Sequence, residues 1–394
     1  MKLSCTVPAL LGLSCLAGTN AFQMPPSSRQ NHVSLQAATT SEPTAISDEA
    51  KAAKEELLQL LGTRGFQDPV LADPDTKEPI RVVTSGIIMG GNGQRKKIDL
   101  QSSTNNYRGS SDTFFNLLEA VQSADNADSD SSRSGLVAEA AKRLIPFIPP
   151  PLRSPLATAG FPVGEDYVPM RDLFTSPSVS FAYERGWRQG FAAAGFPGPD
   201  KEAEFAMDYF APAIAKAEGS NVLVDMSCAT GLFTRRFTKS GKYDRVLGCD
   251  YSASMLQEAR RRIKADPSLS PERRQSQLDL VRCDVGRIPM KSESVDAFHA
   301  GAAMHCWPEL PKAASEIYRV LKPGGRYFAT TFLSSYFGTL QSAEGGATGP
   351  SRQAFQYFAS TQMLRELMEE GGFSREKISV EVIEPSAVII RCEK

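Results

Sequence analysis

Three acids close three apolar runs: Asp225 after 222-VLV-224, Asp250 after 245-RVLGC-249 and Asp284 after 278-LDLVRC-283. An acid at the carboxyl end of a buried strand sits where open α/β sheets bind their ligands. After the first acid comes a turn of small residues, Ser227, Ala229 and Gly231, followed by the helix-like run 232-LFTRRF-237. The spacing of the three is i, i+2, i+4. The dinucleotide fingerprint is spaced i, i+2, i+5, and Leu232 occupies i+5 here. A pyrophosphate needs bare backbone at such a turn. A phosphate-free donor tolerates the hydroxymethyl of Ser227 and the methyl of Ala229.

Asp250 follows Gly231 by 19 residues, the distance at which a carboxylate accepts hydrogen bonds from both ribose hydroxyls of a bound adenosine. Asp284 can accept from the adenine amino group while Val285 packs against the ring. Tyr251 and Met255, within 250-DYSASM-255, belong to the same adenine side, and Gly301 ends a further strand-like run bordering the pocket. Two histidines lie in 295-VDAFHAGAAMHCWPE-309. His299 falls inside the strand pattern and reads as structural. His305 falls after it and is the candidate general base, with loop orientation as its alternative role. Cys306 reads as a packed thiol.

These residues need elements to hold them. From Lys201 onward strand-like and helix-like runs alternate, with helices expected over 202–217, 232–240, 253–265, 309–321 and 359–370. Such alternation implies right-handed βαβ crossovers and a parallel sheet. In 319-RVLKPGGRYFATTF-332 a helix is expected to end in Lys322, and Gly324–Gly325 turn the chain into a strand. The last two strand-like runs, 377–384 and 387–393, are separated by Pro385 and Ser386 alone, so they must be antiparallel neighbours. Two segments flank the pocket on the acceptor side. Tyr183, Trp187 and Phe191 share one helical face, and 333–358 mixes aromatics with glycine as a lid would.

The N-terminal half carries different signals. The first 41 residues hold no Asp or Glu, and 7-VPALLGLSCLAG-18 followed by a Ser-rich stretch has the outline of a signal plus transit peptide. A helix is expected over 47–61, short strands and turns over 66–110, a low-complexity acidic linker over 123–134, and a Pro-rich run over 145–155. The chain has 394 residues with a formal net charge of −1, which argues against nucleic acid as the main partner. Seven cysteines include no CxxC pair, so no metal knuckle is expected. No later stretch reaches the about 18 apolar residues of a transmembrane helix, so any membrane association is expected to be peripheral.

Taken together, 173-LFTSPSVSFAYERGWRQGFAAAGFPGPDKE-202, 224-VDMSCATGLFTRRFTKSGKY-243, 299-HAGAAMHCWPE-309 and 319-RVLKPGGRYFATTF-332 resemble the S-adenosylmethionine (SAM)-dependent methyltransferases of the ubiquinone/menaquinone C-methyltransferase type, and within them the plant chloroplast methyltransferases found with plastoglobules. The resemblance implies a Rossmann-like, seven-stranded, mostly parallel sheet with a C-terminal antiparallel hairpin and an N-terminal extension. It implies SAM as the methyl donor and a small acceptor, prenylquinone-like or phenolic. It assigns Asp225, Ser227 and Gly231 to the cofactor loop, Asp250 to the ribose and Asp284 to the adenine. Residues 1–45 then resemble the two-part plastid presequence of algae with secondary plastids. Residues 46–170 form an accessory region, 171–200 a cap or linker, and 201–394 the methyltransferase domain. The plant relatives resemble a zinc-ribbon carrier ahead of the domain, whereas 66-FQDPVLADPDTKEP-79 has no cysteine. Two alternatives stay open: a SAM-binding but inactive protein of lipid droplets or plastoglobules, and a nucleotide-sugar or nicotinamide enzyme of related fold.

Overall fold

The computed structural model describes residues 65–90, 93–110, 113–121, 188–334 and 358–394. The expected presequence, the expected helix over 47–61, the expected linker over 123–134, the Pro-rich run, Tyr183, Trp187 and most of the 333–358 segment expected as a lid lie outside the described residues. All described residues fall within one unit, Ala52–Lys394.

The first strands form an antiparallel meander: β1 (Phe66–Ala72), β2 (Pro79–Gly90), β3 (Gly93–Gln101), β4 (Asn106–Ser110) and the short β5 (Phe115–Asn116). At 12 and 9 residues, β2 and β3 are longer than the short strands expected, while β4 and β5 are short. The alternating part follows: α1 (Pro199–Ala215), β6 (Val222–Met226), α2 (Leu232–Ser240), β7 (Arg245–Asp250), α3 (Ala253–Ala265), β8 (Gln277–Arg282), β9 (Val295–Gly301), α4 (Leu310–Val320), β10 (Leu321–Phe332), α5 (Thr361–Glu370), β11 (Ile378–Ile383) and β12 (Ala387–Glu393). Helix α4 therefore ends at Val320, two residues before the expected Lys322, because strand pairing of Leu321 with Val295 already begins there.

All strands join one sheet of order β1-β2-β3-β4-β5-β8-β7-β6-β9-β10-β12-β11. From β8 onward this is the expected seven-stranded plan, with β12 antiparallel to both β10 and β11. Strand order reverses between β6 and β9, where a ligand crevice must open at the carboxyl ends. Every residue of β6 and β7 is buried, as a strand covered on both faces requires.

Alternation divides the core. Val222, Val224, Met226, Leu247 and Cys249 face one apolar cluster with α4 and α5, while Leu223, Val246 and Ala297 face another with α1, α2 and α3. The meander contributes Val70, Leu71, Ile80, Leu100 and Leu117 to the first cluster, so its core and that of the parallel sheet are continuous. A buried ion pair adds to this joint: Arg245 on β7 donates twice to Asp68 on β1, at 2.8 and 3.0 Å, and once to Asp279 on β8 at 2.9 Å. Two carboxylates and two backbone amides of β1 (those of Val70 and Leu71, which donate to Asp68) leave few lone pairs there unmatched. Among the described residues, no helix is long and apolar enough to cross a membrane.

Candidate cofactor and active site

The loop from β6 to α2 has an unusual backbone. Ser227, Ala229 and Gly231 adopt φ of 55°, 49° and 75°, so every second residue is left-handed. For an L residue with a Cβ this conformation costs roughly 1–2 kcal/mol. The i, i+2, i+4 spacing therefore marks three left-handed turns of backbone, in addition to any close approach by a ligand. Gly231 is at the start of α2, and a Cβ there would meet the Ala259 Cβ at 3.2 Å. Ala302, just past β9 and across the strand-order reversal, is left-handed too, at φ 52°, and its amide donates to Thr330 Oγ1 at 2.9 Å. Non-glycine residues in this region gather at functional sites.

Asp250 is joined to this loop. Its Oδ2 accepts from the Ala229 amide and its Oδ1 from the Ser252 amide, both at 2.8 Å. Burial raises its carboxyl pKa to about 6, against the lowering effect of those amides. Ser252 in turn caps α3 by accepting from the Met255 amide at 3.2 Å. Met255 is buried yet belongs to none of the three apolar core clusters. The Tyr251 carbonyl accepts from Arg282 Nε at 3.1 Å.

Asp225 is placed differently. It shares a sheet face with Leu223, and its carboxylate is spent inside the helix layer: Oδ1 lies 2.7 Å from His299 Nδ1, and Oδ2 accepts from Thr234 in the first turn of α2. Rings of Phe233, Phe237 and Phe328 surround His299. Asp225 thus fixes the loop from the core side. Asp284 lies two residues past the end of β8, where its Oδ1 accepts from the Gly286 amide at 2.8 Å and caps the short turn Val285–Arg287. Gly301 ends β9, and a Cβ there would meet Phe233 at 2.7 Å.

Past the end of β9, His305 lies in the turn Met304–Cys306 and meets Phe332 edge-on, with ring centroids 5.1 Å apart. Phe332 also contacts Phe196 at 4.8 Å and Phe191 at 5.0 Å. These rings, with Ala194, Ala302 and Ala387, form a small apolar cluster of their own. The Cys306 thiol is pushed up to about 12 by burial and by Asp250, so it stays protonated and is a poor nucleophile. Trp307, which the sequence reading passed over, donates from Nε1 to Ser227 Oγ at 3.0 Å and ties the β9 turn to the cofactor loop. A buried indole needs an acceptor; the chain has 2 Trp, and one sits beside the candidate base.

The structure therefore joins Ala229 directly to Asp250, with Ser227 and Gly231 in the same loop, and Trp307 ties that loop to the His305 turn. Asp284 and Val285 stand at the end of the neighbouring strand. A separate cavity of about 440 Å³, lined in part by Arg245, Lys291 and Lys322, opens at the amino ends of the same strands, away from this crevice.

A methyltransferase domain family matches residues 224–329, the span that includes the crevice. This segment is similar to methyltransferase domains. The chain is 51% identical over 162 residues to an uncharacterized chloroplastic methyltransferase of Arabidopsis thaliana, an alignment covering 41% of this chain and 44% of the relative. It is 47% identical over 162 residues to a second such protein of the same plant, covering 41% and 43%. It is also 35% identical over 112 residues to a demethylmenaquinone methyltransferase of Symbiobacterium thermophilum, covering 27% of this chain and 40% of that one. The chain spans less than half the length of these curated relatives.

Proposed function

We propose that the protein transfers the methyl group of SAM to a small hydrophobic acceptor, prenylquinone-like or phenolic, in the plastid. The observation that carries the donor reading is Asp250: a carboxylate buried at the end of β7, beside the switch strand β6, and held against the left-handed loop by the Ala229 amide. With the Ala229, Ser252 and Tyr251 amides already bonded to it, the carboxylate keeps accepting capacity for a ribose hydroxyl. The donor set fits a ligand with a diol, an exocyclic amine and no phosphate, since acids line the crevice and two loop positions carry side chains.

In this reading Asp250 holds the ribose. Asp284 and Val285, with Tyr251 and Met255, form the adenine side. The backbone of Ser227, Ala229 and Gly231, with Gly301 opposite, receives the methionine end. When bound, SAM supplies an electrophilic methyl on a sulfonium whose departure leaves a neutral thioether. The protein's contribution is then alignment, because holding reactants in line provides most of the acceleration. Phe196, Phe332 and the apolar cluster around them exclude water and accept a flat ring. His305 takes a proton from the acceptor when the acceptor has one to lose.

The acceptor and the compartment rest on the relatives: two are named chloroplastic and one methylates a demethylmenaquinone. The test is incubation with methyl-labelled SAM and a plastid lipid extract, followed by mass spectrometry of the labelled product. Label in a quinone or phenol supports the reading. SAM binding without label transfer points instead to a donor-binding interaction protein, and calorimetric binding of NAD but not SAM overturns both.

A further inference from the structure

The turn that follows Asp284 is held from two sides. Within the parallel sheet, Glu316 on α4 accepts from the Ile288 amide at 2.8 Å, and Arg319 donates to the Ile288 and Met290 carbonyls at 3.0 and 2.7 Å. From the meander, the Ala72 amide donates to the Pro289 carbonyl at 3.0 Å, and the Val70 carbonyl accepts from the Lys291 amide at 2.9 Å. Leu71 and Met290 form an antiparallel bridge. Two side chains of the β1–β2 turn reach the same segment. Asp75 pairs with Arg287 at 2.6 Å, and Lys77 pairs with Glu316 at 2.8 Å, the oxygen that holds the Ile288 amide.

That turn is itself prepared. Asp73 is buried, and its Oδ1 accepts from the amides of Asp75 and Thr76 at 2.9 and 3.0 Å. Its Oδ2 accepts from Ser102, Asn105 and Tyr107 at 2.8 to 3.1 Å. Burial alone would raise its carboxyl, and these donors bring it down to about 2 instead. Asp73 therefore anchors the turn to β3 and β4, and the turn presents Asp75 and Lys77 outward.

We propose that the β1–β2 turn is a positioning device for the adenine wall of the donor site: Asp75 and Lys77 fix the 285–290 segment and, through it, the directions of Asp284 and Val285. The inference rests on the donor reading given above. Neither residue touches the donor. Their loss leaves Asp284 attached to a segment that the meander holds by backbone pairing alone, which weakens recognition of the adenine edge more than recognition of the ribose.

The experiment uses the full chain, with Lys77→Met, Asp75→Asn and the conservative Lys77→Arg. Binding of S-adenosylhomocysteine and of its inosine analogue, which lacks the exocyclic amine, is measured by calorimetry. The expected result is a roughly 3- to 10-fold loss of S-adenosylhomocysteine affinity in Lys77→Met and Asp75→Asn, a smaller preference over the inosine analogue, and recovery in Lys77→Arg. Unchanged affinity and unchanged preference in the folded variants overturn the inference while leaving the donor reading intact. A wild-type chain that binds neither ligand removes the donor reading itself and the inference with it. Should a variant fail to fold, amide exchange of the wild type decides: S-adenosylhomocysteine must slow exchange at the Ala72 and Lys291 amides, and no change there overturns the inference.

Discussion

Asp225 Oδ1 and His299 Nδ1 are 2.7 Å apart, with both side chains 1% exposed, and the other oxygen of Asp225 accepts from Thr234. One carboxylate thus joins β6, β9 and the first turn of α2, beneath the left-handed β6–α2 loop. Removing it leaves an imidazole and a hydroxyl buried without their acceptor. Asp225→Ala should cost about 3 kcal/mol of stability, read as a lower urea midpoint at unchanged slope. Loss of donor affinity with full stability retained would place the carboxylate in the crevice instead.

The left-handed loop gives an opposite expectation. Ala229 at φ 49° holds a conformation that glycine adopts freely. Ala229→Gly should therefore stabilise the donor-free protein by about 1 kcal/mol, net of the added freedom of the unfolded chain. A drop in melting temperature for Ala229→Gly would contradict the strain argument.

Much of this was legible in the sequence. Alternation of strand and helix from Lys201 and the closing hairpin follow from apolar periodicity and from the short connection around Pro385–Ser386, and the place of the crevice from the general rule for open α/β sheets. The three acids were legible as strand-end residues, but their directions were not read from the strand pattern. Side chains alternate along a strand, so Asp225 falls on the Leu223 face and its carboxylate meets His299 from a strand 74 residues away. The spacing of Ser227, Ala229 and Gly231 was visible as small residues, whereas their backbone conformation belongs to the loop as folded. The continuity of the meander with the parallel sheet was not visible either. It depends on a two-residue pairing of β5 with β8 and on long-range ion pairs such as Asp68 with Arg245, which leave no periodic trace.

Trp307 connects two halves of the site, since its indole donates to the side chain of a left-handed loop residue. Trp307→Phe keeps an aromatic ring in the core but deletes that donor and part of the buried ring volume. The expected cost is about 1 kcal/mol of stability, with a several-fold loss of S-adenosylhomocysteine affinity in calorimetry. Ser227→Ala should reproduce the loss, and the double variant should be no worse than either single one, because the two groups form one bond.

His305 is at the aromatic end of the crevice, against Phe332. As a base it acts after the donor is bound, so His305→Ala should lower kcat by about 10²-fold or more while donor affinity stays within twofold of wild type. Equal turnover would remove the base assignment. A matching loss of donor affinity would make His305 an orienting residue of the turn that also carries Trp307.

Asp250 provides the clearest pH signature. Burial lifts its carboxyl from 3.8 to about 6 in the folded chain, so the folded protein binds this proton more tightly than the unfolded one. That group alone makes folding less favourable as pH rises from about 4 to about 6. Donor binding responds in the opposite sense. Ribose hydroxyls donate to the ionised carboxylate, so the donor selects the deprotonated form, and affinity should be flat above about pH 7 and fall about tenfold by pH 5. Near pH 6 binding must release close to half a proton, which calorimetry in buffers of different ionisation enthalpy measures directly. Asp250→Asn cannot titrate, so its weaker binding should be independent of pH over the same range. A wild-type affinity that does not change between pH 5 and 7 would show that the carboxylate at the end of β7 is not the group that holds the ribose.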